Sequence, residues 1–335
     1  MTRKSQYTVF VLLACMAIGA VLLTGRQASR ARTTDQTQTA AALPGEQQQQ
    51  KPEPLDAATV SPPAQQKPHP APAPAFRLIE TDTSAEDNPQ MALIIGNDAS
   101  ATMVARCQAI KELGNELSAP QINVLYTLMA KKATEDPLGI DALNTVRNEA
   151  ANTLGRQSQV PPHFAGNLVA MFLDRSYDPI WREYCVQYMG RAIPRLNKND
   201  RSLVAGLLWS LTDNPQERLA GTALVALSIN VGDELVPGRQ LVERARAWAL
   251  SGQTHPDLRL TAIQLCAEMG DKLILATARD LANNTQTPLR LRIASIAAVG
   301  QLGGNDCIPD LERFLKEGHP VVTTAANAAI KRLKI

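Results

Sequence analysis

The chain is 335 residues long, with 44% hydrophobic, 20% charged and only 4% aromatic residues, and a formal net charge of +2. That apolar content supports a sizeable core and excludes a wholly disordered chain, while the aromatics are too few for most β-sandwiches and barrels. Residues 77–335 hold 27 Lys and Arg against 28 Asp and Glu, so no basic domain is present to hold nucleic-acid phosphates.

Residues 1–7 form a short leader containing Arg3 and Lys4, and residues 8–25, TVFVLLACMAIGAVLLTG, carry no charge. At ~1.5 Å per residue such a helix spans about 27 Å, close to the hydrocarbon thickness of a bilayer. The run exceeds the ~7–15 residues of a signal-peptide apolar region, which predicts a retained transmembrane signal-anchor over a cleaved signal. Cleavage near Leu23-Thr24-Gly25 or Ser29-Arg30-Ala31 stays open, as does lipidation of Cys15 in Leu12-Leu13-Ala14-Cys15. Against lipidation, apolar sequence continues well beyond Cys15. Arg26, Arg30 and Arg32 follow the span, so the positive-inside comparison is nearly balanced. A basic leader ahead of an apolar run is ordinary export geometry, so residues 1–7 are expected in the cytoplasm and the C-terminal domain in the periplasm or otherwise outside the cytoplasmic membrane.

Residues 26–90 change character. Gln47 to Gln50 is a run of glutamine, and nine of the chain's 22 prolines lie between Pro44 and Pro74. Such a stretch buries too little apolar surface to offset its ordering entropy, which predicts a disordered Pro/Gln-rich linker. It carries no basic PxxP pattern, so a passive spacer is favoured over a Pro-rich ligand.

From residue 91 onward the pattern is helical. Pro137, Pro179, Pro215, Pro256, Pro288 and Pro320 each precede an amphipathic stretch, at spacings of 42, 36, 41, 32 and 32 residues. That is the range of two-helix solenoid repeats. Asp136, Asp178, Asn214 and Thr287 stand before four of the prolines as N-caps, and proline suits the next position because its missing N–H has no partner there in any case. Six residues beyond the prolines stand Leu143, Cys185, Gly221, Ala262, Ala294 and Ala326; five are small, which predicts close helix approach at that register. Partner helices are expected at about 120–133, 162–175, 200–212, 237–251, 271–283 and 307–317. With a leading helix at about 99–113, this makes six pairs and one extra helix in an all-α domain spanning 91–335.

The segment NDCIPDLERFLKEGHPVVTTAANAAIKRL, residues 305–333, resembles one HEAT repeat, with Ile308, Leu311 and Leu315 on a first helix and Ala325, Ala326, Ala329 and Leu333 on a second. HPDLRLTAIQLCAEMGD and TPLRLRIASIAAVGQLGG, from His255 and Thr287, are similar to the same second helix. The resemblance covers residues 119–335 and implies a right-handed α-solenoid of about six HEAT-like helix pairs, following the anchor and linker. HEAT repeats are mainly scaffolds, so it also implies a protein partner of unspecified identity. The alternative is a subunit or rare catalytic member of a HEAT-like enzyme family. Iron-binding HEAT-like hydroxylases use His-Glu pairs on their helices, and this chain has no His-Glu dipeptide.

Arg182, Arg218 and Arg259 lie three residues after a proline and Arg292 four after. Equivalent positions of a solenoid form a ladder, so these arginines either bridge neighbouring turns or present a guanidinium row to an anionic partner. Tyr177, Trp181, Tyr184 and Tyr188 form one helical stripe that also holds Cys185, Met189 and Ala192. Inter-helix core is the favoured fate of this stripe, and a partner surface using Trp181 and Tyr184 is the alternative. His69, His163, His255 and His319 have linker, turn or cap positions, with no HExxH or Cys-His spacing. No catalytic residue, metal site or cofactor is therefore expected, and GxGxxG, GxxxxGK[ST] and CxxCH are absent from the sequence. Cys266 and Cys307, near neighbouring helix ends, are the one candidate disulfide.

Overall fold

The computed structural model describes residues 74–80, 88–96, 101–214 and 218–334. The predicted leader, the 8–25 anchor, Cys15 and most of the 26–90 linker lie outside the described residues, as does Pro215. Among the described residues no helix is long and apolar enough to cross a membrane.

The described residues form fourteen α-helices and no named strand. We number them α1 (Pro89–Ile95), α2 (Met103–Lys111), α3 (Ala119–Ala130), α4 (Ile140–Arg156), α5 (Phe164–Leu173), α6 (Pro179–Ala192) and α7 (Lys198–Leu211). The series continues with α8 (Leu219–Ser228), α9 (Gly238–Leu250), α10 (Pro256–Glu268), α11 (Leu275–Asn283), α12 (Leu289–Leu302), α13 (Ile308–Leu315) and α14 (Pro320–Leu333).

Local chemistry accounts for most of the boundaries. Asn88, Thr102, Asp178, Asn197 and His255 each accept a backbone N–H of the first turn that follows them, and Pro89, Pro179, Pro256 and Pro320 occupy the opening turn where no donor is needed. Two expected starts differ. Pro288 is itself the cap residue of α12. Pro137 does not head α4, which begins at Ile140 behind Gly139, because Asp136 is engaged by Arg106 and accepts from the Leu138 N–H.

Consecutive helices pack as seven pairs, α1 with α2 through α13 with α14. The seventh pair arises because α1 partners the leading helix, whose sequence reads as linker up to residue 90. Each second helix packs on the next, from α2 through α4, α6, α8, α10 and α12 to α14. One continuous apolar core runs from Met91 to Ile330. This is an all-helical stack consistent with an α-solenoid.

The second-helix layer is tight because small residues meet in it. A Cβ built on Gly190 of α6 falls 2.6 Å from Ala226 Cβ of α8, and one on Gly300 of α12 falls 2.4 Å from Ala329 Cβ and 2.5 Å from Ala329 Cα of α14. The predicted small positions Cys185, Ala262, Ala294 and Ala326 are buried as expected. The closest approaches, however, lie further along each helix, where glycine removes the last obstacle between two backbones.

Gly300→Ala is therefore expected to cost about 1–3 kcal/mol through overpacking. Gly206→Ala, in α7 with open space beside it, is expected to stabilise by about 0.4–1 kcal/mol through the unfolded chain. Denaturant midpoints of the two variants, read against wild type, check both signs.

Candidate binding surface

The last carbonyls of an α-helix have no intrahelical partner and carry partial negative charge. Arginines of a later helix satisfy several of them here, in most cases from the helix that follows. Arg182 donates from Nε to the Phe172 carbonyl at 2.8 Å, Arg259 to Ala249 at 2.9 Å and Arg292 to Ala282 at 2.7 Å. Each acceptor is the penultimate residue of α5, α9 or α11. Arg106 of α2 does the same to Ile94 of α1 at 2.9 Å. Arg147 of α4 reaches the Lys131 carbonyl at the end of α3, and Arg244 of α9 reaches Thr212 at the end of α7.

The predicted site residues thus separate. Arg292 is buried, and its second nitrogen binds Glu317 at 2.6 Å while the guanidinium lies over Phe314. Arg182 and Arg259 are partly buried caps. Arg218 differs, with its side chain 62% exposed beside Glu183 at 3.5 Å. Trp181 is 0% exposed and belongs to the core. Tyr184 is half-buried against it with ring centroids 6.5 Å apart. The structure does not gather these six residues into one exposed patch.

Cys266 and Cys307 are both buried free thiols, so the candidate disulfide is not formed. Cys307 Sγ lies 3.7 Å from Asp306 Oδ2, and α11 and α12 stand between the two cysteines in the chain. Burial pushes the Cys266 thiol up to about 12, with the Asp271 carboxylate adding to the shift. Among the described residues, no cluster of three His, Cys, Asp or Glu side chains is placed to hold a metal ion.

Among the described residues, one ion pair is fully buried on both sides. Arg106 Nη1 contacts Asp136 Oδ1 at 3.0 Å and Oδ2 at 2.8 Å, and Arg106 Nη2 donates to the Ile95 carbonyl at 3.1 Å. Gly96 ends α1 at φ +85, and a Cβ there would sit 2.8 Å from the Arg106 guanidinium; glycine serves both the left-handed turn and the close approach. Burial raises the Asp136 pKa, but the Arg106 hydrogen bonds, the Leu138 N–H and the Arg106 and Lys131 charges outweigh it and leave the pKa lowered.

Residues 74–80, Pro-Ala-Phe-Arg-Leu-Ile-Glu, have no helical turn and lie across α3 and α5. Asn167 of α5 accepts the Arg77 N–H at 2.8 Å and donates to the Arg77 carbonyl at 2.8 Å. Asn123 of α3 makes the same two bonds to Ile79, each at 2.8 Å. Phe76 meets Tyr126 edge-on with centroids 6.5 Å apart, and Ile79 packs against the core. Sequence reasoning missed both asparagines and placed their partner segment in the linker. A signal was present: α5 reads FAGNLVAMFL, where Asn167 is the one hydrogen-bonding side chain and is 0% exposed. A carboxamide inside an apolar helix requires partners.

Residues 243–331 match the family model described as HEAT repeats. No curated protein matches the sequence. The solved structure of human deoxyhypusine hydroxylase in complex with glycerol is similar at 15% identity and a TM-score of 0.30, over 73% of this chain and 97% of that one.

Removing the Arg292 side chain leaves the Ala282 carbonyl and Glu317 without their donor, so Arg292→Ala is expected to cost about 1–3 kcal/mol. Arg218→Ala, at an exposed pair, is expected to stay within about 0.5 kcal/mol of wild type by urea denaturation.

The depressed Asp136 pKa implies stability that is present above the ordinary carboxylate value and lost as pH falls through the lowered folded value. Wild-type stability is expected to drop below about pH 4. Asp136→Asn, which leaves Arg106 buried without its charge partner, is expected to be less stable at pH 7 and to show a flatter acid limb in pH-dependent denaturant titrations.

Proposed function

We propose that this chain is a non-catalytic HEAT-type scaffold that docks a protein partner outside the cytoplasmic membrane, held there by residues 8–25 through the Pro/Gln-rich tether. The observation that carries the reading is the stack of seven helix pairs, part of which matches HEAT repeats. Such a stack repeats equivalent side chains along an extended surface, an arrangement suited to spreading recognition over several repeats. Arg182, Arg259 and Arg292 are spent on helix ends, so recognition would fall to other side chains of the stack. The anchor reading rests on the length and uncharged character of residues 8–25.

Two measurements test the reading. A membrane-impermeant protease added to intact spheroplasts is expected to clip the full chain between residues 30 and 90, whereas cleavage only after lysis would place the domain in the cytoplasm. Affinity capture from membranes with the full chain is expected to return the same protein at near-equal amounts in repeated preparations. Recovery of the bait alone, under crosslinking as well, would remove the scaffold reading.

A further inference from the structure

Residues 74–80 are held by backbone recognition. Each asparagine carboxamide has an oxygen that accepts and a nitrogen that donates, and Asn167 and Asn123 each spend both on the N–H and carbonyl of one residue. The two residues read, Arg77 and Ile79, are two apart. In an extended chain that spacing turns both pairs of polar groups toward the same side, and Leu78 turns its own the other way. Arg77, Leu78 and Glu80 are exposed and Phe76 is 36% exposed, one edge on Tyr126, so four hydrogen bonds, the Ile79 contact and that edge of Phe76 define the fit. Such contacts ask for an extended conformation, a non-proline residue at each clamped position, and little else.

We infer that the face formed by α3 and α5 is a binding site for an extended polypeptide, occupied in cis by residues 74–80 until a partner's extended segment replaces them. The replacing segment has an aromatic residue at the position of Phe76, to meet Tyr126, and an aliphatic one at that of Ile79. Only seven residues separate Glu80 from Asn88, the cap of α1. A link that short gives the cis segment an effective concentration on the order of millimolar. Weak intrinsic affinity therefore keeps the site filled, and a partner displaces the segment by adding contacts beyond the clamp. This deepens the scaffold reading and rests on it for the existence of a partner, but the site itself is testable without one.

The probe is a fluorescein-labelled peptide of sequence PAFRLIE, added to the full chain. In the R77P/I79P chain the cis segment has lost both clamped N–H donors. This chain is expected to bind the peptide at least tenfold more tightly than wild type by fluorescence anisotropy. Adding Asn123→Ala to R77P/I79P is expected to weaken binding at least tenfold. Asn123 is only partly buried, so unchanged helical circular dichroism separates loss of the site from loss of the fold; Asn123→Asp, which keeps an acceptor and loses the donor, is expected to fall between. In wild type, hydrogen exchange at the Arg77 and Ile79 amides is expected to be slow, and to quicken with Asn123→Ala at Ile79.

Equal peptide binding by wild type and R77P/I79P, no binding by either, or binding indifferent to Asn123 would each overturn the proposal. So would a wild-type dimer that dissociates on R77P/I79P, since the segment would then dock on a second copy. Failed capture from membranes with successful peptide binding would sink the scaffold reading and keep the site. The reverse pattern would sink the site alone.

Discussion

Every α-helix ends with carbonyls that its own backbone cannot satisfy, and a stack of fourteen helices has this problem fourteen times. Here the ends of α1, α3, α5, α9 and α11 are answered by an arginine from the partner helix, and that of α7 by Arg244 from the next pair. The guanidinium suits this use because it is planar, always charged and able to bond several acceptors at once. Arg106 shows the full capacity, binding Ile94, Ile95 and Asp136 together. Each such contact fixes where a second helix begins relative to the end of the first. The angle of each of the five pairs joined in this way depends on these bonds.

Once the pairs are fixed, the second helices are free to approach as closely as their side chains permit. Gly190 against Ala226 and Gly300 against Ala329 bring backbone to backbone. Polar links reinforce the stack: Asp178, the cap of α6, also accepts from Asn144 of α4 at 2.9 Å, and Asn230 donates back to the Gly190 carbonyl at 2.8 Å. The same residues thus end one helix and hold its neighbour.

Much of this was legible from the chain alone. Proline after a capping residue, at intervals of 32 to 42 residues, locates most second helices, and the apolar runs between them locate the first helices to within a few residues. Three things were not legible. Asp136 looks like a helix cap beside Pro137, and only the fold brings Arg106, thirty residues earlier, to claim it. The contact register of the glycines depends on crossing geometry that a one-dimensional repeat does not contain. Residues 74–80 have linker composition on both their upstream side and their own prolyl start, and their order comes from Asn123 and Asn167, which are 44 residues apart in sequence. The arginines could be assigned to a ladder, and Arg218 and Arg292 do pair with Glu183 and Glu317, but Arg182, Arg259 and Arg292 also cap carbonyls, which no side-chain pattern reveals.

The clamp on residues 74–80 fixes register as well as conformation. Because Asn167 and Asn123 engage alternate residues, sliding the segment by one position turns every clamped N–H and carbonyl away from its carboxamide. Sliding by two restores both pairs with different side chains in place. The permitted positions are therefore discrete and differ by about 6–7 Å of extended chain. Such a shift would take Phe76 off Tyr126 and Ile79 off the core, so the aromatic and aliphatic contacts select one register among those that the two carboxamides allow.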